Sequence, residues 1–228
     1  VVTNDDGIDA PGIDALATAL AALDGVEVSI VAPATNQSGT SDKSTVGGAP
    51  HRSSATRSGT AGTAVDGFPA DAVNVALDEL HLTPDLVVSG INRGQNLGPV
   101  AYVSGTVGAA RTAARRGIPA LAVSAGTGED ADYASAAKLA VAWVVEHRAA
   151  LLSDTVATDT VTSINVPDCS LGGSVKAILE VPLATGVAEG VDPYHSDCAA
   201  EPPAPPTDDV TALVAGHAAE TLVPVEQP

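Results

Sequence analysis

Aromatic and basic side chains are what this 228-residue chain has least of. It contains no Met, one Phe, one Trp and three Tyr, so its core has to be assembled from Ala, Val, Leu and Ile. Such side chains suit helices packed closely on a buried parallel sheet. Lysine is confined to Lys43, Lys138 and Lys176, and Lys plus Arg number 10 against 28 Asp plus Glu, a net charge of −18. With no basic stripe to release counterions, binding to a nucleic-acid backbone is excluded as a function. Acidity of this degree with so little lysine points to a protein kept soluble where salt screens its self-repulsion, as in halophiles.

The two cysteines, Cys169 and Cys198, are far apart and form no CxxC. They read as incidental thiols of a reducing compartment, with a disulfide between them left open. No apolar run is long enough to span a bilayer, and no basic segment precedes an apolar one as in a secretory leader. The expected compartment is the cytoplasm. The opening apolar run is only Val1–Val2, the end of a strand expected to begin further upstream.

What is present alternates strand and helix. Residues 10–23 read as a helix with Pro11 in its first turn and Asp9 as its cap, and "VEVSIVAPA" as a β-branched strand ending near Pro33. Residues 34–64 are rich in Ser, Thr and Gly, the mark of a long loop or hairpin. Residues 69–80 are helical by spacing. "PDLVVSG" is a strand running into "GINRGQNLG", and a helix then runs from about Ser104 to Gly117. "IPALAVSA", a long helix over 132–152 and "VTSINVP" complete the alternation. The pattern predicts an α/β fold, a three-layer Rossmann-like sheet that is mostly parallel, with a C-terminal extension. Residues 1–182 form the main domain. Residues 183–228, rich in Pro and Asp before a short helix and a strand, form an arm too small to fold alone.

In such a sheet ligands bind beyond the carboxyl ends of the strands. Four polar clusters fall there: "TNDDG" (3–7), "NQSG" (36–39), "SGINRGQNLG" (89–98) and "SGT" (104–106). Adjacent carboxylates repel, so Asp5 and Asp6 call for a positive partner. With the Ser38 hydroxyl and the Asn92 amide they make an all-oxygen set suited to Mg²⁺ or Mn²⁺, with positions open for water and a phosphate. "SGT" at a helix start offers N–H groups, hydroxyls and the positive dipole end to an anion. A cation site beside an anion hole implies phosphoryl chemistry.

"VTNDDGIDAPGI", "VVAPATNQSG", "VDGFPADAVNVAL", "PDLVVSGINRGQNLG" and "VSGTVGAA", in that order, resemble the SurE family of survival-protein nucleotidases. The resemblance is strong to about residue 125, continues through "INVP" (164–167) and then thins. It implies a metal-dependent phosphatase of nucleoside 5′- and 3′-monophosphates that works through a metal-activated water, with one divalent ion per subunit. It also implies a C-terminal arm that joins subunits into a homodimer or homotetramer. Carried over by position, the metal ligands fall on Asp5, Asp6, Ser38 and Asn92. The phosphate contacts fall on Asn96, Ser104, Gly105 and Thr106. Catalysis then rests on Asp5, Asp6, Asn96 and Ser104. The loop after "NQSG" and the Pro-rich tail depart from the family pattern.

Other candidates have plainer readings. Arg93 stands equally well as a phosphate contact or a solvated loop residue. Arg111, Arg115 and Arg116 lie late in a helix, where dipole and solvent account for them. Asp14 reads as a surface residue. The five histidines, His195 among them, show no metal-ligand spacing. A haloacid-dehalogenase-type phosphatase would need DxD where this chain has DD, and a dinucleotide-binding module would need GxGxxG where it has "NDDGIDAPG".

Overall fold

The structure is a computed structural model, and it describes residues 1–127, 131–199, 201–202 and 204–226. Its centre is a parallel array of β1 (Val2–Thr3), β5 (Val87–Arg93), β6 (Ala120–Ala125) and β7 (Thr160–Val166), adjacent in that order. All six residues of β6 are buried. Leu121, Val123 and Ala125 join one apolar cluster and Ala120 and Ala122 the other. That alternation is what a strand covered on both faces produces.

Helix α1 (Pro11–Ala21) and helix α4 (Tyr133–Leu152) cover one face, packing Ile13, Leu16 and Leu20 against Ala136, Ala140 and Trp143. Helix α2 (Pro69–Asn74) and helix α3 (Gly105–Arg115) cover the other, through Val73, Val107, Ala109, Ala110 and Ala113. With so many alanines at the interface the layers approach closely, as the scarcity of aromatics requires. α1 begins at Pro11, but Asp9 is not its cap. Ala10 holds that position without a side-chain hydrogen bond, because the fixed φ of proline already favours the first turn. α2 continues into a π-helical turn at Val75–Glu79.

The stretch expected to be a loop or hairpin is a hairpin. β3 (His51–Ala55) pairs antiparallel with β4 (Ala61–Val65), and β4 lies parallel to the short β2 (Val31–Pro33). A single bridge, Val2 to Ile30, links this three-stranded sheet to the main one. At the far side, β9 (His217–Pro224) runs antiparallel to β7, and β8 (Lys176–Glu180) lies parallel to β9 at the edge. β9 and the short α5 before it (Asp209–Val214) come from the C-terminal segment, so that segment supplies an interior strand of the main sheet. β8 has no counterpart among the expected elements.

Two side-chain readings are corrected. Cys169 and Cys198 are not free thiols: they form a disulfide, with Cα atoms 5.5 Å apart, so the thiol argument for a reducing compartment falls away. Arg111 is not solvated but 1% exposed. Its Nε donates to the Val225 carbonyl at 2.8 Å, its guanidinium lies 5.5 Å from the Tyr102 ring centre, and Asp42 faces it at 3.6 Å. Arg115 also reaches Asp42, at 2.7 Å, and Arg116 pairs with Asp78 at 2.6 Å. Asp14, read as a surface residue, is indeed partly exposed, and there it accepts hydrogen bonds from the hydroxyls of Thr56 and Ser58 at the tip of the β3–β4 hairpin. Among the described residues, no helix is long and apolar enough to cross a membrane.

Candidate active site

The polar clusters meet beyond the carboxyl ends of β1 and β5. After β1 the chain turns at Asn4, whose side chain accepts from the Gly7 N–H at 3.2 Å and donates to the Gly7 carbonyl at 2.9 Å. This closed turn presents Asp5 and Asp6. The loop after β2 docks on it: the Gln37 N–H donates to the Asp5 carbonyl at 2.7 Å, and the Asn36 amide donates to the Asp6 carboxylate at 2.9 Å. From the end of β5, the Arg93 N–H reaches the same Asp6 carboxylate at 3.1 Å.

Asp5 is only 2% exposed. Its carboxylate accepts the Thr106 hydroxyl, and the start of α3 lies directly against it. A Cβ on Gly105 would stand 2.8 Å from the Asp5 Cβ, so only glycine permits this approach. Burial pushes the Asp5 carboxyl up to about 6, against the opposing pull of the Thr106 hydroxyl, and the neighbouring Asp6 charge adds to the rise. Asp6 is raised too, chiefly by burial, while Arg93 and the Asn36 amide oppose the shift. Two carboxyls held side by side and drawn out of water are a place where a cation would favour the charged forms.

The residues fit a hard cation. Among the described residues no three His, Cys, Asp or Glu side chains converge as a metal cluster, so a metal here must take neutral oxygens as well. Asn92, 8% exposed, donates its amide N–H to the Gly94 carbonyl at 2.6 Å, which leaves its carbonyl oxygen as a ligand atom. Ser38 is exposed on the docked loop, its own N–H bound to the Asn36 side chain at 3.0 Å.

The residues expected to contact phosphate are placed as follows. Ser104 caps α3, its hydroxyl oxygen accepting from the Val107 N–H at 3.2 Å, so its own proton remains to be donated. The Thr106 hydroxyl is committed to Asp5. Asn96 is held on two sides: its N–H donates to Asn165 Oδ1 at 2.7 Å and its side-chain amide to Ser124 Oγ at 2.9 Å. The loop that carries it is tied to the C-terminal segment. The Gly98 N–H donates to the buried Asp209 carboxylate at 2.8 Å, and the Gln95 amide to the Pro193 carbonyl at 2.7 Å. Asn165, Ser124 and Asp209 had no prominence in the sequence. Asn165 and Ser124 sit at the ends of β7 and β6, so strand-end position was the one available signal. His195 is exposed in a loop.

The profile of the family described as Survival protein SurE matches residues 1–182. The chain belongs to the SurE family. Its fold is similar to the crystal structure of the SurE protein from Aquifex aeolicus, with a TM-score of 0.76 and 29% identity over 100% of this chain and 93% of that one. This SurE chain is also 46% identical over 171 residues to a 5′-nucleotidase SurE of Pelobacter propionicus, covering 74% of the chain and 66% of the relative. A 5′-nucleotidase SurE of Desulforudis audaxviator is 36% identical over 244 residues, covering 99% and 91%. The match thus spans just under two thirds of the Pelobacter protein and nearly all of the Desulforudis one. The high-salt origin read from the charge balance is not borne out by these relatives, although one, 53% identical over 127 residues, comes from Halobacterium salinarum and covers 54% of the chain and 45% of the relative.

Proposed function

We propose that this chain is a metal-dependent phosphatase that releases phosphate from nucleoside 5′-monophosphates and from 3′-monophosphates. The observation that carries the reading is the Asp5–Asp6 pair packed against the start of α3 in a chain of the SurE family. Asp5, Asp6, Ser38 and Asn92 hold one divalent ion, Mg²⁺ or Mn²⁺, through oxygens alone. That ion neutralises phosphoryl charge and lowers the pKa of a water.

The chain's own part is positioning. Asn96, steadied by Asn165 and Ser124, donates its amide to a phosphoryl oxygen. The Ser104 hydroxyl and the N–H groups opening α3 donate to the others, and the helix dipole favours the charge that develops there. Thr106 holds Asp5 in its ligating orientation. Residues 183–228 also serve as an oligomerisation arm in a homodimer or homotetramer. Exposed Val187 and Tyr194 support that part of the reading.

Asp5→Asn and Asp6→Asn test the reading. Each removes one unit of charge from the cation site with little change in shape. Phosphate release from AMP at saturating Mn²⁺ should fall by roughly two or more orders of magnitude in each. Wild-type turnover in either variant overturns the assignment.

A further inference from the structure

A cleft of about 480 Å³ opens beside Asp6, and its walls include Asp9, Thr35, Arg57, Arg93 and Tyr133. Its size is within the roughly 300–1,000 Å³ of small-molecule sites. Five separate elements build it: the turn between β1 and α1, the loop after β2, the tip of the β3–β4 hairpin, the end of β5 and the start of α4. We propose that this cleft seats the nucleoside half of the substrate, with Tyr133 and Arg57 as planar surfaces for the base and Asp9 as acceptor for sugar hydroxyls. The inference rests on the phosphatase reading above and adds where specificity arises.

Three observations carry it. The first is the latch on the hairpin. Arg57 lies between Thr56 and Ser58, and both neighbours donate their hydroxyls to Asp14 on α1. A turn at the end of an exposed hairpin is ordinarily mobile. Here a carboxylate on another element holds it where Arg57 lines the cleft. The second is the room given to Tyr133. A Cβ on Gly12 would stand 3.2 Å from the tyrosine ring and 1.9 Å from the Ile91 carbonyl, so α1 approaches both through a residue without a side chain. The Tyr133 hydroxyl is half-buried within electrostatic reach of Asp6, Arg93 and Arg57. The third is the mixture of charges. Tyrosine and arginine offer faces on which a base stacks. Arg57 and Arg93 on the same walls are balanced by the carboxylates of Asp6 and Asp9, so the cleft has no net positive charge of the kind that would hold a polyphosphate tail.

The test pairs binding with kinetics. Calorimetry with adenosine, which carries no phosphate, reads the cleft without any turnover. Wild-type protein should bind it saturably, and Arg57→Ala and Tyr133→Ala should each weaken binding roughly tenfold, with Tyr133→Phe restoring it. In steady-state assays with Mn²⁺, the ratio of kcat/KM for AMP to that for p-nitrophenyl phosphate should fall by a similar factor in both alanine variants, through KM. Asp14→Ala, which frees the hairpin tip, should lower the same ratio more mildly. A protein inactive on both phosphate esters that still binds adenosine in this way keeps the cleft assignment and loses the phosphatase reading. Absence of saturable adenosine binding up to about 10 mM, or equal losses on AMP and p-nitrophenyl phosphate, overturns the cleft assignment. So does tripolyphosphate binding that Arg57→Ala abolishes while adenosine does not bind.

Discussion

At the residue scale, the site depends on side chains that hold other side chains. Thr106 is fully buried, and its hydroxyl has one use, the Asp5 carboxylate. Thr106→Val keeps the shape and removes the donor, leaving a buried carboxylate with one fewer hydrogen bond to its charged form. Loss of an outer partner of this kind costs about 10- to 100-fold in metal affinity or activity. The expected result is a drop of that size in kcat/KM for AMP, with Thr106→Ser close to wild type. Equal activity in the two variants would show that the hydroxyl does not orient Asp5. The paired aspartates were legible because adjacent like charges are conspicuous in any context. Arg111 was not, because its partner carbonyl on Val225 is 114 residues away and nothing near it in sequence marks it as buried.

At the scale of elements, β6 and β7 were legible as continuous apolar runs, and α3 as a capped helix. β8 was not: it is an edge strand of five residues with none fully buried, so its sequence carries little of the alternation that a buried face imposes. The hairpin over 51–65 left a similarly faint trace, since its first strand is almost wholly exposed. The Cys169–Cys198 disulfide closes a 29-residue separation and ties the loop after β7 to the segment before α5. A cross-link over that span restricts the unfolded chain by about 3–4 kcal/mol in the loop-entropy account. Cys169→Ser and Cys198→Ser should each lower unfolding free energy by up to that amount in urea melts. Reductant should bring the wild type to the same value. Identical melts with and without reductant would mean that the bridge contributes nothing.

At the scale of the whole molecule, the layering of helices on both faces of a mostly parallel sheet followed from the alternation along the chain, whereas the strand order, with the antiparallel β9 inside the main sheet and a separate three-stranded sheet, did not. The docking of four loops at one sheet edge followed only from the rule that ligands sit beyond strand ends. A net charge of −18 makes the folded state repel itself, and screening reaches down to about 3 Å at 1 M salt. The melting temperature should therefore rise as KCl increases toward molar levels, and a value independent of KCl would remove self-repulsion from the account. The central claim is that phosphate release depends on a divalent ion held by Asp5, Asp6, Ser38 and Asn92. The direct measurement is phosphate release from AMP by protein stripped with EDTA, confirmed metal-free by elemental analysis, and then titrated with Mn²⁺ or Mg²⁺. The account predicts release at background after stripping and a saturable return on titration. Undiminished turnover by the metal-free protein would contradict it.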